Sequence, residues 1–304
     1  MRFTRIIGLA APALACLAVL FVLAPAAQAA YPGTDDGRIA FGMNVNGNVD
    51  VYTALPNGAD VRRLTASPAF DACPSFSASG KQIAYCTGRT GAFEIWQMRQ
   101  NGTRQRPVTQ LGGFATFPDF APDGGRIAFD AREGTDTADE IYTVNVDGSG
   151  RQRLTSGPGN SDWPAWSPDG SRIAFISDRT GTEQVWVMNA DGSDQRQLTF
   201  GSAPHDQLPD WSPDGSKIAY EDDGAGSGDI FVMNADGTDQ HDVSNDPSAE
   251  FGPTFSPDGR RLAFVSDRTG TRLVWIMNLD GTGQHPLTGG TNAQFVPAWQ
   301  PRGD

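Results

Sequence analysis

Four carboxylates recur just ahead of a repeated aromatic run: Asp71, Asp162, Asp206 and Glu250. Three arginines, Arg89, Arg179 and Arg268, recur behind a second run in a repeated "RTG". Two chemistries fit these residue types. Two carboxyls held about 5–10 Å apart in a closed pocket serve as acid and base on a glycosidic bond. The same carboxylates paired with the arginines would instead hold loops together, and exposed pairs of that kind stabilise little. Trp163 and Phe117 stand directly before prolines near these carboxylates, and His205 adjoins Asp206. An acidic and aromatic funnel of this composition suits a cationic peptide, a partner loop or a sugar polymer.

No stronger catalytic pattern is present. The chain has no G-x-S-x-G nucleophile elbow and no H-E-x-x-H zinc pair. Its histidines are His205, His241 and His285, without metal-ligand spacing. "NADGSD" and "NLDGTG" lack the spaced carboxylates and closing glutamate of a calcium loop and are read as turns. No catalytic residue, metal or cofactor is expected.

The elements that must position these residues are written in a repeat. "WPAWSPDGSRIAF" at 163–175 returns as "LPDWSPDGSKIAY" at 208–220 and "GPTFSPDGRRLAF" at 252–264. The turn glycines Gly37, Gly80, Gly124, Gly170, Gly215, Gly259 and Gly303 are spaced by 43 to 46 residues. A period in the forties with several short strands per unit is the mark of a β-propeller blade. Each unit holds four strand-like runs, for example "PAWS", "RIAFIS", "QVWVMN" and "RQLT", separated by Asp-Gly turns. Aromatics share one phase in the first run (Phe76, Phe120, Trp166, Trp211, Phe255, Trp299) and another in the third, as packing between stacked blades demands. The chain opens at a second strand and ends with a lone first strand, "VPAWQP" at 296–301. An all-β, six-bladed propeller of four-stranded blades is therefore expected. The last strand should join the N-terminal blade and close the ring.

The pattern "PxWSPDGxxIAF…SDRTG…IWxMNxDG…LT" resembles the WD-like repeat of the TolB-type six-bladed propeller. The resemblance spans residues 36–301 and includes no counterpart of the α/β domain that precedes the TolB-type propeller. It implies a periplasmic or secreted scaffold that binds a protein at the propeller mouth.

Residues 1–29 differ in kind. Arg2 and Arg5 precede an apolar run from Ile6 to Ala24, and "APAAQAA" ends in small residues at Ala27 and Ala29. This is the pattern of a cleaved secretory signal, with residues 30–304 forming one propeller domain. The formal net charge of −13 disfavours nucleic acid and anionic membrane as partners. No other run is long and apolar enough to span a bilayer. A monomer is expected.

Cys73 and Cys86 remain after cleavage. A symmetric hairpin about Ser79-Gly80 sets Phe76 opposite Ile83 and Cys73 opposite Cys86. In an exported protein that pair is expected to form a disulfide.

Loops after the first and third strands of each blade, "SPDG" and "NADGS", are uniform. Those after the second and fourth vary, and idiosyncratic loops on a rigid scaffold are where binding concentrates. The candidate binding residues therefore surround the channel mouth on the variable face: Asp71, Phe117, Asp162, Trp163, His205, Asp206 and Glu250, with Arg89, Arg179 and Arg268 facing them. Two function classes follow. One is a scaffold that docks a protein or cell-envelope polymer. The other is a secreted carbohydrate hydrolase or lyase using the rim carboxylates.

Overall fold

The structure is a computed structural model that describes residues 35–134, 136–201, 206–224 and 227–302. The leader and His205 lie outside the described residues. Blade one contains β1 (Asp35–Val45), β2 (Asn48–Ala54) and β3 (Arg62–Arg63). Blade two is β4 (Asp71–Phe76), β5 (Gln82–Thr87), β6 (Glu94–Arg99) and β7 (Arg106–Pro107). Blade three is β8 (Phe114–Phe120), β9 (Arg126–Arg132), β10 (Glu140–Asn145) and β11 (Gln152–Arg153). Blade four is β12 (Ser161–Trp166), β13 (Arg172–Ser177), β14 (Gln184–Asn189) and β15 (Arg196–Gln197). Blade five is β16 (Asp206–Trp211), β17 (Lys217–Asp222), β18 (Asp229–Asn234) and β19 (His241–Asp242). Blade six is β20 (Glu250–Phe255), β21 (Arg261–Ser266), β22 (Leu273–Asn278) and β23 (His285–Pro286). The last strand, β24 (Gln294–Arg302), pairs with β1, so the first blade reads β24-β1-β2-β3 and the ring closes as the repeat implied.

Local chemistry makes the turns. In "SPDG", Ser167 Oγ donates to Asp169 Oδ1 at 2.6 Å and accepts from Arg172 N at 2.9 Å. In "NADGS", Asp191 Oδ1 accepts from Ser193 N at 3.0 Å and from its hydroxyl at 2.6 Å. These side chains replace water on turn amides and fix each hairpin. A Cβ at Gly170, where φ is +70°, would stand 3.1 Å from Pro122 of the preceding blade, so the turn also needs glycine for close packing.

Between blades, a small residue on the second strand leaves room for its neighbour's aromatics. Ala84, Ala174 and Ala219 are fully buried, as are Trp166 and Trp211. Truncating such a ring to alanine costs about 3–5 kcal/mol. Cations staple successive blades: Arg126 lies 5.0 Å from the Trp166 ring, Arg172 5.5 Å from Trp211, and Arg261 5.1 Å from Trp299. The closing strand is tied on both sides, since Gln300 accepts from Arg38 N at 3.0 Å and donates to Gly80 O at 2.8 Å.

One irregularity governs the mouth. Every inner strand slips register at the same place, between Ala72 and Ser75, Thr116 and Asp119, Asp162 and Ala165, Gln207 and Asp210, Phe251 and Thr254, and Phe295 and Ala298. Two inner-strand residues there oppose one on the partner, which defines a β-bulge. The first of the two is left-handed in all six blades: Cys73, Phe117, Trp163, Leu208, Gly252 and Val296 have φ between 47° and 66°. The second is a proline, which has no N–H to give to the ladder.

The bulge corrects the expected cysteine register. Phe76 does face Ile83, but Ala72, not Cys73, faces Cys86. Both cysteines are buried free thiols, not the expected disulfide. The two thiols are in hydrogen-bond contact, and burial above all, then that contact, pushes the Cys86 thiol well up.

Candidate functional site

The variable face is assembled where each inner strand begins. Ala115 N donates to Phe93 O at 2.9 Å, Ser161 N to Asp139 O at 2.8 Å and Glu250 N to Gly228 O at 2.7 Å. Each bond joins the start of one inner strand to the loop ahead of the preceding blade's third strand. Rim side chains are therefore carried by strand ends that two blades hold in common.

Two of the three arginines pair with rim carboxylates. Arg89 reaches Asp71 at 2.8 Å, Gln105 Oε1 at 2.8 Å and Thr87 Oγ1 at 3.0 Å, and it stacks 4.5 Å from the Trp96 ring. Arg268 repeats the arrangement with Glu250, Gln284 and Ser266, stacked 4.5 Å from Trp275. Burial pushes the Asp71 and Glu250 carboxyls up, against the opposing pull of their arginines and hydroxyl donors. In blade four Ser161 stands in the carboxylate's place, and Arg179 bonds Ser161 at 3.0 Å, Ser177 at 2.9 Å and Gln195 at 2.5 Å. The glutamines extend this chain to the preceding blade: Gln105 Nε2 donates to Leu64 O at 3.3 Å and Gln195 Nε2 to Leu154 O at 3.2 Å. Asp71, Glu250 and the three arginines thus hold the blades together.

The aromatics differ from expectation. Trp163 and Phe117 are only 7% and 4% exposed, packed edge to face with centroids 5.8 Å apart. The left-handed bulge turns them into the core and away from the funnel wall. Half-buried Phe251 and Phe295, one residue earlier in their strands, are the rim aromatics, and Arg272 lies 4.8 Å from the Phe251 ring. Asp206 begins β16 opposite Asp222, while its side chain lies outside the described residues.

Asp162 is the rim carboxylate that stands apart. It sits one residue beyond the phase of Asp71 and Glu250, opposite Ile176, and it is partly exposed. No hydrogen bond or ion pair holds it among the described residues. Burial pushes its carboxyl well up, and the charges of Asp130, Asp139, Glu183 and Asp178 push it further. Asp130, on β9, is buried and accepts from Thr116 Oγ1 at 2.5 Å and from Trp163 N at 3.4 Å. Burial above all raises it to about 7. On the next blade Gln207 faces Glu221, and Gln207 Nε2 donates to Glu183 Oε2 at 3.0 Å. Glu221 is pushed well up by burial, then by Asp223 and Glu183. Gln207 Oε1 and Glu221 Oε2 are buried and accept no hydrogen bond among the described residues.

A second carboxylate pair lies deeper. Asp119 Oδ2 accepts from Trp166 N at 2.8 Å, and Asp210 Oδ2 accepts from Phe255 N at 2.6 Å. Each clamps the inner strand of the next blade by accepting from one of its backbone amides.

Comparison with known proteins agrees with this architecture. A family model described as the TolB beta propeller domain matches residues 101–207 and 203–304. The crystal structure of TolB from Acinetobacter baumannii is 23% identical with a TM-score of 0.76, over 87% of this chain and 67% of that one. A putative TolB from Agrobacterium tumefaciens is 21% identical with a TM-score of 0.70, over 86% of this chain and 91% of that one. A chain of a nidogen/laminin complex aligns with a TM-score of 0.73 at 11% identity, over 88% of this chain and 99% of that one.

Proposed function

The chain belongs to the TolB beta propeller domain family, and from that membership we propose that it is an exported scaffold docking a protein or cell-envelope partner on its variable-loop face. The observation that carries this reading is the contrast between the two faces. The turn face spends its polar groups internally, as Asp191 does on Ser193 and Asp214 on Ser216. The variable face carries the half-buried rings of Phe251 and Phe295 and, elsewhere on the rim, Asp162, which no hydrogen bond or ion pair holds among the described residues. Aromatic anchors among incompletely satisfied polar groups are what a protein partner engages. Export rests on the charged, apolar and small-residue segments of residues 1–29.

Affinity capture from a cell-envelope extract tests the reading, with the propeller as bait. A partner should be retained by the parent protein and by Ser193→Ala, and lost by Phe295→Ser combined with Asp162→Ala. Equal capture by both variants would remove the variable face as the docking surface.

A further inference from the structure

Three blades hold a guanidinium of their own chain in one repeated setting. Arg89, Arg179 and Arg268 each stand two residues after the hydroxyl that ends the second strand, Thr87, Ser177 or Ser266, and Nε donates to that hydroxyl at 2.9–3.0 Å. Each also donates to the amide oxygen of Gln105, Gln195 or Gln284 and lies 4.5–4.9 Å from a third-strand tryptophan ring. Blade three exchanges the two partners. Glu133 stands in the arginine's place and Arg151 in the glutamine's, and they pair at 3.0 Å.

Blade five keeps the setting but has Gly224 in the arginine's place. Tyr220 pairs with Phe231 as Tyr85 pairs with Trp96. Gln240 is pinned as Gln105 is: its amide donates to Leu198 O at 3.2 Å and to Gly237 O at 2.8 Å, and its Oε1 accepts from the Tyr220 hydroxyl at 3.4 Å. Asp222 ends the second strand where the other blades have a hydroxyl. Asp222 and Gln240, the counterparts of the guanidinium's partners, line a cavity of about 300 Å³ with Thr199, Phe200 and Gly201. Building on the docking role proposed above, we infer that this cavity binds a guanidinium group, the side chain of an arginine supplied by the docked partner in place of the chain's own.

The lining matches that ligand in three ways. The Gln240 carbonyl has a second lone pair, the one that Arg89 takes on Gln105 beside the Tyr85 hydroxyl. Asp222 is half-buried, and one of its oxygens accepts from Gly224 N at 2.7 Å. A carboxylate in place of a neutral hydroxyl turns the added hydrogen bond into a charge-assisted one and selects a cation over a neutral group. Phe200 is 78% exposed, where other blades carry Gln110, Ser156 or Asn245. An aromatic ring at the lip covers the methylene stem of an incoming arginine. The planar fork of a guanidinium reaches the carboxylate and the amide oxygen together, which the single ammonium of lysine does less well.

The probe is the peptide acetyl-Ser-Gly-Arg-Gly-Ser-amide, compared by calorimetry with its lysine counterpart and with a citrulline counterpart that keeps the shape and loses the charge. The arginine peptide should bind at least about tenfold more tightly than the citrulline peptide and more tightly than the lysine peptide. Gly224→Arg restores the arginine of the repeat and fills the cavity from within. It should melt no lower than the parent protein and bind the arginine peptide at least about tenfold more weakly. Asp222→Asn keeps the acceptor for Gly224 N, and it should also weaken binding about tenfold. Asp194→Asn, an equal charge change on the turn face, should alter binding less than about twofold. No binding at millimolar arginine peptide, equal binding of the citrulline peptide, or undiminished binding by Gly224→Arg and Asp222→Asn would overturn the inference. If the captured partner binds Gly224→Arg unchanged yet still needs Phe295, docking on the variable face stands and the guanidinium site falls. If the partner needs neither, both readings fall.

Discussion

Asp130→Asn exchanges a buried carboxyl for an amide of the same shape, and its effect on stability should depend on pH. Asp130 is 2% exposed and is raised from 3.8 to about 7, chiefly by burial. Across that window the folded state keeps a proton that the unfolded chain has released. The contribution is complete below about pH 4 and is lost as pH rises through about 7. At roughly 1.4 kcal/mol per pH unit, the full interval is worth ~4 kcal/mol. The amide recovers only part of this, because its N–H₂ needs an acceptor and the Thr116 hydroxyl must turn to supply one. About 2 kcal/mol of relative gain at pH 8 is expected, vanishing or reversing near pH 5, which corresponds to a melting shift of roughly 4–8 °C. Urea unfolding of both proteins from about pH 5 to pH 8 reads this directly. A parent protein that grows more stable with rising pH across that range, or a variant with the parent's slope, refutes the electrostatics assigned to the mouth.

Deleting residues 294–302 removes β24 together with its Trp299, a ring only 2% exposed, and strips β1 of its partner. Size-exclusion chromatography should then show aggregation, and a monomer with the parent's melting temperature would contradict ring closure by this strand. Cys73 and Cys86 should resist iodoacetamide in the native protein and both react after unfolding without reductant, because they are buried thiols and the Cys86 thiol is raised by burial. Failure to label after unfolding would mean that the pair had oxidised.

The fold was legible because the signals for it repeat. Asp-Gly turns, the Ile-Ala-aromatic second strands and the lone terminal "VPAW" specify blades, ring and closure together. The mouth was less legible because its controlling feature has no shared residue type. Cys73, Phe117, Trp163, Leu208, Gly252 and Val296 differ chemically, yet all adopt the same left-handed bulge. The proline that follows each of them was the available signal, since proline inside a strand marks a bulge. Unread, it left Trp163 and Phe117 assigned to the funnel wall and Cys73 set opposite Cys86. Asp130 and Glu221 were also legible in principle. They occupy a second-strand position that holds Cys86, Ile176 and Val265 in other blades, and an acid at a core position calls for explanation. The alternative in which the rim arginines pair with rim carboxylates holds for Arg89 with Asp71 and for Arg268 with Glu250, whereas Arg179 bonds Ser161 instead, because the carboxylate is replaced at that place in the repeat.

Site-specific photo-crosslinking in a cell-envelope extract tests the docking claim most directly. A photoreactive phenylalanine analogue would replace Phe251 or Phe295 on the variable face, and Ser193 or Ser216 on the turn face. The account predicts one discrete crosslinked partner from positions 251 and 295 and none from 193 and 216. Crosslinks confined to 193 and 216, or equally distributed over all four positions, would contradict it.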